Sequence, residues 1–530
     1  MQEGEAHHPG GTPSNPEMPD LDKMSKGQIL TLLSGIMLGL FLAALDQTII
    51  ATALPAISHD LGQIQEIPWV ATSYLLASTI SVPMFGKIGD LFGRKRLFQF
   101  AIWTFLAGSV LCGISQTMAQ LIVGRIIQGI GAGGLLTIPA TILGDVVSPR
   151  NRGRYLGYIG VVWALASIAG PSVGGVLTQE ISWRWVFYIN VPIGATAVMA
   201  TTLFLNLPVL RMKHKIDYIG GALLAATSSC ALLALVSMGS ANANQVSIGS
   251  LLVLSAIFLL AFIVQERRTA EPLLPLQLFS NSVMRVGIVL SLLVGVGMFI
   301  TVTYAPMYLQ LSLDHSVSES GFLLSPMLLT LVVTTFCTGR LISASGRYRI
   351  YPIVGTLLLS VGFIMVAISS EVLNEWLIVS ATIVIALGIG CIMQVVVLAI
   401  QNSVAQTELG VATSTERLFR SLGAAVGVAI AGVILSLHLV DLSDRAESRS
   451  GSRAIERFLS GAGTGDLVTE ELPEEAGTLL GSEIGDAMRS IFLAALPLSI
   501  TGFVVSLRLE QLPLRHDPPY AARTPELVGE

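Results

Sequence analysis

Two ionisable side chains lie far inside apolar stretches of this 530-residue chain. Asp46 is the only charged residue between Gln28 and Ala53, and Arg125 is a single cation with charge-free sequence on both sides and Gln128 on the same helix face. Because an ionised carboxylate is costly inside a bilayer, burial favours the neutral form of Asp46. A carboxyl group that takes a proton from one side of a membrane and releases it to the other can couple proton flow to substrate movement. The alternative is a static salt bridge to a neighbouring helix.

A second group of charges lies in another apolar stretch and consists of Glu416, Arg417 and Arg420. Glu416 and Arg420 are four residues apart, so on a helix they share one face and can form an ion pair. Glu416 is either a second titratable site or the partner of a cation near the end of its helix. Arg125 also has two interpretations. It responds to protonation of an acid such as Asp46 or relays the proton itself, or it is a packing residue bonded to backbone carbonyls.

A short charged loop joins two charge-free stretches, and its sequence runs Gly86-Lys87-Ile88-Gly89-Asp90-Leu91-Phe92-Gly93-Arg94-Lys95-Arg96. A loop this short must turn sharply while it holds its charges in place, which is typical of a hinge or gate. We expect Asp90 either to accept hydrogen bonds from the backbone N–H groups that begin the next helix or to pair with Arg94. Asp90, Gly93 and Arg94 would then form a conformational latch between two halves of the protein. The abundance of cations in cytoplasmic loops is sufficient to explain Lys95 and Arg96.

A weaker copy of this loop occurs later in the chain. The seven-residue spacing from Gly86 to Gly93 recurs from Gly339 to Gly346, with Ser343 in the place of the acid. Such internal symmetry is typical of transporters built from two related halves. Since the second copy lacks the carboxylate, the latch is expected to be asymmetric.

The elements that must position these residues are membrane-spanning helices. With 52% hydrophobic and 12% charged residues and a mean hydropathy of +0.72, the composition excludes an ordinary water-soluble globular protein. Apolar windows long enough to cross a hydrocarbon core recur along the chain and predict about fourteen helical spans. The four cysteines lie in these spans without the spacing of metal ligands. The sequence also lacks phosphate-binding and nucleophile motifs, so we expect no enzymatic activity, metal, cofactor or nucleic-acid partner.

Lys and Arg residues are concentrated in alternate loops. Sixteen of them lie in the short loops that begin with the one after the second span, and the intervening short loops hold only Arg184. Because cytoplasmic loops retain positive charge, this asymmetry predicts a multi-pass protein of the cell membrane with both termini in the cytoplasm. The pattern divides the chain into a disordered cytoplasmic tail (1–27), an N-terminal six-helix half (28–206), two inserted helices with flanking cytoplasmic loops (207–283), a C-terminal six-helix half (284–508) that includes a long outer loop (438–485), and a second cytoplasmic tail (509–530).

Several motifs in sequence order resemble those of the major facilitator superfamily, in particular its fourteen-span drug:proton antiporter branch of the EmrB/QacA type. The loop from Gly86 to Arg94 resembles the signature loop of the superfamily. The other matching segments are, in chain order, Leu45-Asp46-Gln47-Thr48 with Ala53-Leu54-Pro55, then Leu121, Arg125, Gln128, Gly129 and Gly131, then Gly160, Gly170, Pro171, Gly174 and Gly175, then Trp183, Arg184, Trp185, Phe187, Asn190, Pro192 and Gly194, and finally Arg420, Gly423 and Gly427.

The resemblance implies an all-α integral membrane protein of the major facilitator fold, with two six-helix halves that rock about a central cavity and two inserted helices. It implies proton-coupled efflux of hydrophobic or cationic small molecules such as drugs by a monomer in the lipid bilayer. Acids of the first span and the arginine of the fourth span are implicated in coupling in the family, which corresponds here to Asp46 and Arg125. The family motif that matches residues 170–175 is associated with exporters and with a seal against proton leak.

Other functions share this fold and stay open as alternatives. The chain could be an exporter dedicated to one native metabolite or lipid, or a nutrient symporter. It could also be a sensor or lipid-handling protein that keeps the fold without turnover.

Overall fold

The computed structural model describes residues 26–61, 67–205, 217–238, 245–269, 271–372, 374–446 and 474–514. Within these ranges the chain is almost entirely helical and contains no β-strand. The predicted disordered tail at the N-terminus lies outside the described residues except for Lys26 and Gly27, which begin the first helix. Of the predicted C-terminal tail, residues 509–514 are described.

Fourteen spans in the described residues are long and apolar enough to cross a membrane, which confirms the number predicted from the sequence. The α-helices are α1 (Lys26–Leu61), α2 (Ile67–Phe92), α3 (Arg94–Gly113), α4 (Met118–Val146), α5 (Pro149–Glu180), α6 (Trp185–Tyr188), α7 (Asn190–Phe204), α8 (Tyr218–Met238), α9 (Gln245–Arg268), α10 (Ser282–Leu311), α11 (Val317–Ser345), α12 (Ile350–Val372), α13 (Glu375–Ser403), α14 (Leu409–Ala446) and α15 (Glu474–Ser506). The short α6 and α7 together form a single span, Trp185–Phe204.

The segment over residues 438–485, which the sequence predicts to be a mobile or partly helical outer loop, is helical at both of its ends. α14 continues to Ala446 and α15 already begins at Glu474. The apolar parts of these helices are shorter and cover Gln406–His438 and Gly481–Ser506. Hydropathy therefore ends each span where polar residues begin, although the helix continues. Residues 447–473 lie outside the described part of the chain.

The helices before and after the insertion pack in the same pattern. In the first half α1 contacts α5 and α7, and α4 contacts α2 and α3. In the second half α10 contacts α14 and α15, and α13 contacts α11 and α12. The contacts of α2 with α14 and of α5 with α11, which join the halves, also correspond to each other. This repetition confirms the predicted fold of two six-helix halves.

The inserted helices α8 and α9 form a hairpin at the side of the bundle. They pack against each other, and α8 also contacts α2 and α14, one helix from each half. α9 exposes a row of large apolar side chains that includes Val253, Ile257 and Leu260. An apolar face of this kind is suited to contact with lipid. The insertion therefore borders both halves without separating them.

The two halves meet closely at one end of the bundle. We call it the basic end, because the Lys- and Arg-rich loops such as residues 87–96 lie there. A Cβ atom at Gly86 would lie 2.6 Å from the carbonyl oxygen of Gly410, and one at Gly153 would lie 2.7 Å from the carbonyl oxygen of Gly339. Glycine permits such close approach of helix backbones. Both helix pairs that join the halves are therefore in backbone contact, and the basic end is closed.

The repeated glycines of the two charged loops both have a positive φ angle. Gly93 has φ 92° and Gly346 has φ 71°, values that side chains with a Cβ atom rarely adopt. Gly93 precedes the first residue of α3, and Gly346 follows the last residue of α11. The spacing seen in the sequence thus marks a glycine with positive φ at a helix end in each half, although ψ is 137° at Gly93 and 0° at Gly346.

The predicted close helix contact at residues 170–175 is present between α5 and α1. A Cβ atom at Gly170 would lie 2.8 Å from Cβ of Thr48, and one at Gly174 would lie 2.7 Å from Cγ1 of Ile49. Gly175 differs, because nothing lies within 4 Å of an added Cβ atom there. α5 stays a single helix across Pro171.

This difference between neighbouring glycines gives a matched pair of variants. We expect Gly174→Val to lower the free energy of unfolding by about 1–3 kcal/mol, because the new side chain overlaps α1. Gly175→Val should change it by less than about 0.5 kcal/mol. Thermal unfolding of the two purified variants measures this difference. Equal destabilisation by both substitutions would contradict the packing described for α5.

Candidate functional site

Asp46 lies at the centre of a fully buried polar cluster. Its Oδ2 accepts a hydrogen bond from Arg125 Nη1 at 2.6 Å, and its Oδ1 accepts from Gln128 Nε2 at 2.7 Å and from Asn190 Nδ2 at 2.9 Å. Both amides also donate to the hydroxyl of Ser109, at 2.7 and 3.1 Å. None of the five side chains is more than 1% exposed. Helices α1, α3, α4 and α7 thus enclose one carboxylate, one cation and the polar groups that bind them.

Arg125 connects this cluster to α2. Its Nε donates to the carbonyl oxygen of Val70 at 3.0 Å, and its guanidinium carbon lies 4.2 Å from the ring centroid of Tyr74. The Tyr74 hydroxyl in turn donates to the carbonyl oxygen of Ala43 at 3.3 Å. Arg125 therefore combines two of the contacts that the sequence left open, an ion pair with Asp46 and a bond to a backbone carbonyl. Both contacts depend on the relative positions of α1, α2 and α4.

Three consecutive residues of α1 face three different parts of the molecule. Asp46 points into the buried cluster, Gln47 lines a central cavity, and Thr48 Oγ1 donates to the carbonyl oxygen of Ala166 on α5 at 2.9 Å. Successive residues of an α-helix are about 100° apart, which explains the three directions. The structure places Asp46, Arg125 and Gln128 beside the cavity and not on its wall.

The central cavity has a volume of about 580 Å³. Residues of both halves form its wall, among them the aromatic side chains of Trp163, Phe299 and Tyr304. Leu232 and Leu235 of the inserted helix α8 also lie on the wall. The wall is mostly apolar. The volume of the cavity falls in the range of sites that bind drug-sized molecules.

The charged side chains on the described wall are Arg417 and Arg420, both from α14. Arg420 Nη2 pairs with Oε2 of Glu416 at 3.4 Å, as the spacing predicts. Glu416 is buried and also accepts a hydrogen bond from the hydroxyl of Ser291 on α10 at 2.8 Å. Arg420 thus lies on the cavity wall, and Glu416 is held behind it.

Asp90 binds the start of a helix in the other half. Its Oδ1 and Oδ2 accept hydrogen bonds from the backbone N–H groups of Gly410 and Val411, both at 3.0 Å. The expectation that it caps the next helix is therefore wrong, because its partner is α14. A carboxylate stabilises any helix N-terminus that it reaches, and α14 begins at the same end of the bundle. Asp90 Oδ1 also pairs with Nη2 of Arg94 at 2.9 Å, as predicted.

Arg94 holds Asp90 within a larger buried network. Its Nη1 pairs with Oδ2 of Asp145 at 2.7 Å and also donates to the carbonyl oxygen of Thr141. Lys95 points elsewhere, and its Nζ donates to the carbonyl oxygen of Thr202 on α7 at 3.1 Å. We use the name Asp90 latch for Asp90, Arg94 and the two amides at the start of α14. This latch joins the halves at the basic end.

The second copy of the loop makes a weaker version of the same contact. The hydroxyl of Ser343 on α11 accepts a hydrogen bond from the backbone N–H of Arg154 at 3.2 Å, near the start of α5. Asp90 bonds to the amide that follows Gly410, and Ser343 bonds to the amide that follows Gly153. One junction between the halves thus carries a charged acceptor and the other a neutral one.

A cluster at the end of α1 away from the basic end joins elements of the first half. Asp60 Oδ2 accepts hydrogen bonds from Trp183 Nε1 at 2.9 Å and from Arg184 Nη1 at 2.7 Å. The hydrogen bond from the Trp183 indole and the one from Arg184 hold the pKa of the Asp60 carboxyl below its usual range. Arg184 Nη2 also donates to the carbonyl oxygen of Ser115, which ties in the end of α3.

Three residues of these networks carry no sequence signal as strong as Asp46 or Asp90. Ser109 looks like any small residue of an apolar span, and Asp145 and Asp60 lie at helix ends where charges are common. Arg417 stands out in the sequence together with Glu416 and Arg420, because a charge within an apolar span is unusual. Its position on the cavity wall depends on the rotation of α14, which an apolar helix does not reveal.

A helical bundle of two repeated halves, with a cavity between them and a closed contact at one end, defines a membrane transporter. Comparison with known proteins agrees. The sequence model of the Major Facilitator Superfamily matches residues 36–428. This chain therefore belongs to the major facilitator superfamily.

Individual proteins are similar over most of their length. Multidrug resistance protein 3 of Bacillus subtilis (strain 168) is 34% identical over 473 residues, which cover 88% of this chain and 90% of that protein. An MFS-type efflux pump from Fusarium sp is 32% identical over 500 residues, which cover 91% of this chain and 87% of that protein. The crystal structure of a human organic anion transporter aligns with a TM-score of 0.58 at 14% identity and covers 88% of this chain and 99% of that chain. The structural likeness shows a shared fold.

The Asp90 latch predicts how the closed end responds to loss of its carboxylate. Asp90→Ala removes the acceptor of two helix amides, and we expect the ratio of closed to open molecules to fall roughly tenfold or more. Spin labels at two exposed positions of the basic end, 96 and 347, report the opening as longer distances in pulsed electron resonance.

The four cysteines are first replaced by serine so that only the introduced sites carry a label. Asp60→Ala, at the end of α1 away from the labels, is the matched control and should leave the distances unchanged. An unaltered distance distribution in Asp90→Ala would show that the latch does not hold the closed state.

Proposed function

We propose that this chain exports hydrophobic or cationic small molecules, drugs among them, across the cell membrane in exchange for protons. The observation that carries the proposal is the enclosed ion pair of Asp46 and Arg125 directly beside the cavity. A buried pair of this kind can be uncoupled by a single proton, because protonation removes the charge that neutralises the arginine. The names of the relatives from Bacillus and Fusarium, which describe drug resistance and efflux, support export as the direction.

Protonation of Asp46 would change the electrostatic forces on α1, which carries Asp46, on α4, which carries Arg125, and on α2, which Arg125 contacts. Arg125 would keep its bonds to Gln128 and to the carbonyl of Val70 but would lose its counter-charge. An unpaired cation in a low-dielectric interior costs several kcal/mol, so a rearrangement that brings it to water or to another partner is favoured. Arg125 contacts α2, and α2 carries the Asp90 latch at its other end. Proton uptake at Asp46 is thereby linked to opening at the basic end.

The cavity and the ion pair share helix α1 but not a common surface. Gln47 contacts the cavity and Thr48 contacts α5, whereas Asp46 is reached only through the buried cluster. Substrate and proton would then influence each other through the position of α1 and need not compete for one carboxylate. This arrangement supports antiport, in which the release of substrate and the uptake of a proton alternate.

The closed end fixes the direction of access in this state. If the basic end lies in the cytoplasm, as the charges of the loops predict, the structure represents the state closed to the cytoplasm. In this state the carboxylate of Asp46 is paired with Arg125, and a proton that binds Asp46 would have to break this ion pair. Both walls of the cavity come from a single chain, which supports the monomer as the working unit. The even number of described spans and the cations of the basic end support both termini on the cytoplasmic side.

Asp46→Asn tests the coupling directly. In everted membrane vesicles, a pH gradient should drive uptake of hydrophobic and cationic dyes by the wild type, and the variant should show only the uptake seen without a gradient. Because Asp46 does not line the cavity, binding of the same dyes to the purified variant should stay within about threefold of the wild type. Asp46→Glu keeps a titratable group and should restore part of the transport.

The control for expression and vesicle quality is Asp60→Asn, which alters an acid on the same helix outside the buried cluster. Gradient-driven uptake that survives in Asp46→Asn would remove Asp46 from coupling. Dye uptake that requires a pH gradient of the opposite direction would indicate a symporter. Transport of one compound among many dyes and metabolites would indicate a dedicated exporter.

A further inference from the structure

The charges at the cavity do not balance among the residues that the structure describes. The cluster on α14 contains two guanidinium groups, those of Arg417 and Arg420, and one carboxylate, that of Glu416. No Asp or Glu lies on the described wall. Asp46 cannot supply the missing charge, because both of its oxygens are already bound by Arg125, Gln128 and Asn190. One positive charge therefore remains in the middle of the bundle.

This surplus charge belongs mainly to Arg417. The side chain lines the cavity and makes no hydrogen bond or ion pair with any residue in the described ranges. Glu416, its nearest acid along the helix, is bound by Arg420 and by the hydroxyl of Ser291. Arg420 itself has a second nitrogen, Nη1, that is buried and lacks a partner in the described structure. Several donor groups of α14 are thus available at one place on the wall.

A second unsatisfied donor lies on the wall supplied by the other half. The indole N–H of Trp163 on α5 is buried and has no hydrogen-bond partner among the described residues. Buried donors are normally satisfied, so a group that is left without a partner in a cavity indicates a site for a ligand acceptor. Trp163 and Arg417 come from different halves, and a ligand that binds both would bridge the halves.

We propose that Arg417 binds an anionic group, such as a carboxylate, of an otherwise apolar substrate in the central cavity. A guanidinium group offers two parallel N–H donors that match a carboxylate, and the low dielectric of the cavity strengthens their attraction. The apolar wall receives the rest of the molecule. This inference rests on the proposed function, because it names a substrate class for the same cavity. Within the hydrophobic compounds of the proposed function it selects those that carry an acid, and it places cationic compounds among the weaker substrates.

Three probes with one aromatic body test this selection by charge. Pyrenebutyrate is anionic, pyrenebutanol is neutral and pyrenebutylamine is cationic at neutral pH. Equilibrium dialysis against the full-length protein in detergent, with protein-free micelles subtracted, gives the affinity of each. We expect wild type to bind the acid roughly tenfold or more tightly than the amine.

The variant Arg417→Gln should weaken binding of the acid roughly tenfold to a hundredfold and change binding of the alcohol by less than about twofold. Arg417→Lys keeps the charge but not the paired donors and should fall between the two. The matched control is Arg268→Gln, an exposed arginine at the end of α9 away from the cavity. Retained binding of the alcohol shows that Arg417→Gln is folded.

Several results would overturn the inference. They are unchanged affinity of Arg417→Gln for the acid, equal loss of acid and alcohol, tighter binding of the amine than of the acid by wild type, and absence of saturable binding of the acid. The assay measures binding without a proton gradient, so it is independent of coupling. Selective binding of the acid by a protein that fails to transport against a gradient would refute the proposed antiport and leave the anion site in place.

Discussion

The need to keep a carboxylate and a guanidinium group together inside the membrane governs the arrangement of the first half. Asp46 and Arg125 are each nearly inaccessible to solvent, and separating them would leave two uncompensated charges in a low-dielectric interior. The amides of Gln128 on α4 and Asn190 on α7 donate to the other oxygen of Asp46, and the hydroxyl of Ser109 on α3 accepts a hydrogen bond from each amide. Four helices are therefore fixed by one pair, and any change in its protonation affects all of them.

The basic end is closed by backbone packing and hydrogen bonds between the halves, and not by the buried ion pair of Asp46 and Arg125, which lies within the first half. Glycines bring α2 to α14 and α5 to α11, so that backbone contact supplies packing at both junctions. The charged latch of Asp90 is present at one junction, whereas Ser343 makes a neutral hydrogen bond at the other. The halves are alike in fold and unequal in the strength of their contacts. Unequal junctions allow one to release before the other, which suits a protein that must open at this end.

The sequence predicts the features that depend on short stretches of chain. The number of spans follows from apolar length, the turns at Gly93 and Gly346 from their spacing, and the pairs of Asp90 with Arg94 and Glu416 with Arg420 from the helix repeat. The partner of Asp90 across the halves does not follow, because every helix that begins at the same end of the bundle offers free N–H groups. The points at which α14 and α15 end within the polar sequence do not follow either, because hydropathy marks where an apolar span ends and not where a helix ends.

The division between cavity wall and buried cluster could not be predicted either. α1 is apolar on all sides around Asp46, so its sequence does not say which residue faces the other half. The structure shows that neighbouring residues face the ion pair, the cavity and α5. The opening features of the sequence, one acid and one arginine, are therefore correctly paired, but the charges on the cavity wall come from α14. The proposed sites for substrate charge and for proton coupling thus lie on different helices.

The central claim is that Asp46 takes up a proton and thereby releases Arg125. Infrared difference spectroscopy of the reconstituted protein tests it most directly, because a protonated carboxyl group has a carbonyl band that a carboxylate lacks. As the pH is lowered through the range in which a gradient drives transport, the account predicts a band that is present in wild type, absent in Asp46→Asn and retained in Glu416→Gln. The same band in wild type and Asp46→Asn, or its loss in Glu416→Gln alone, would contradict the account.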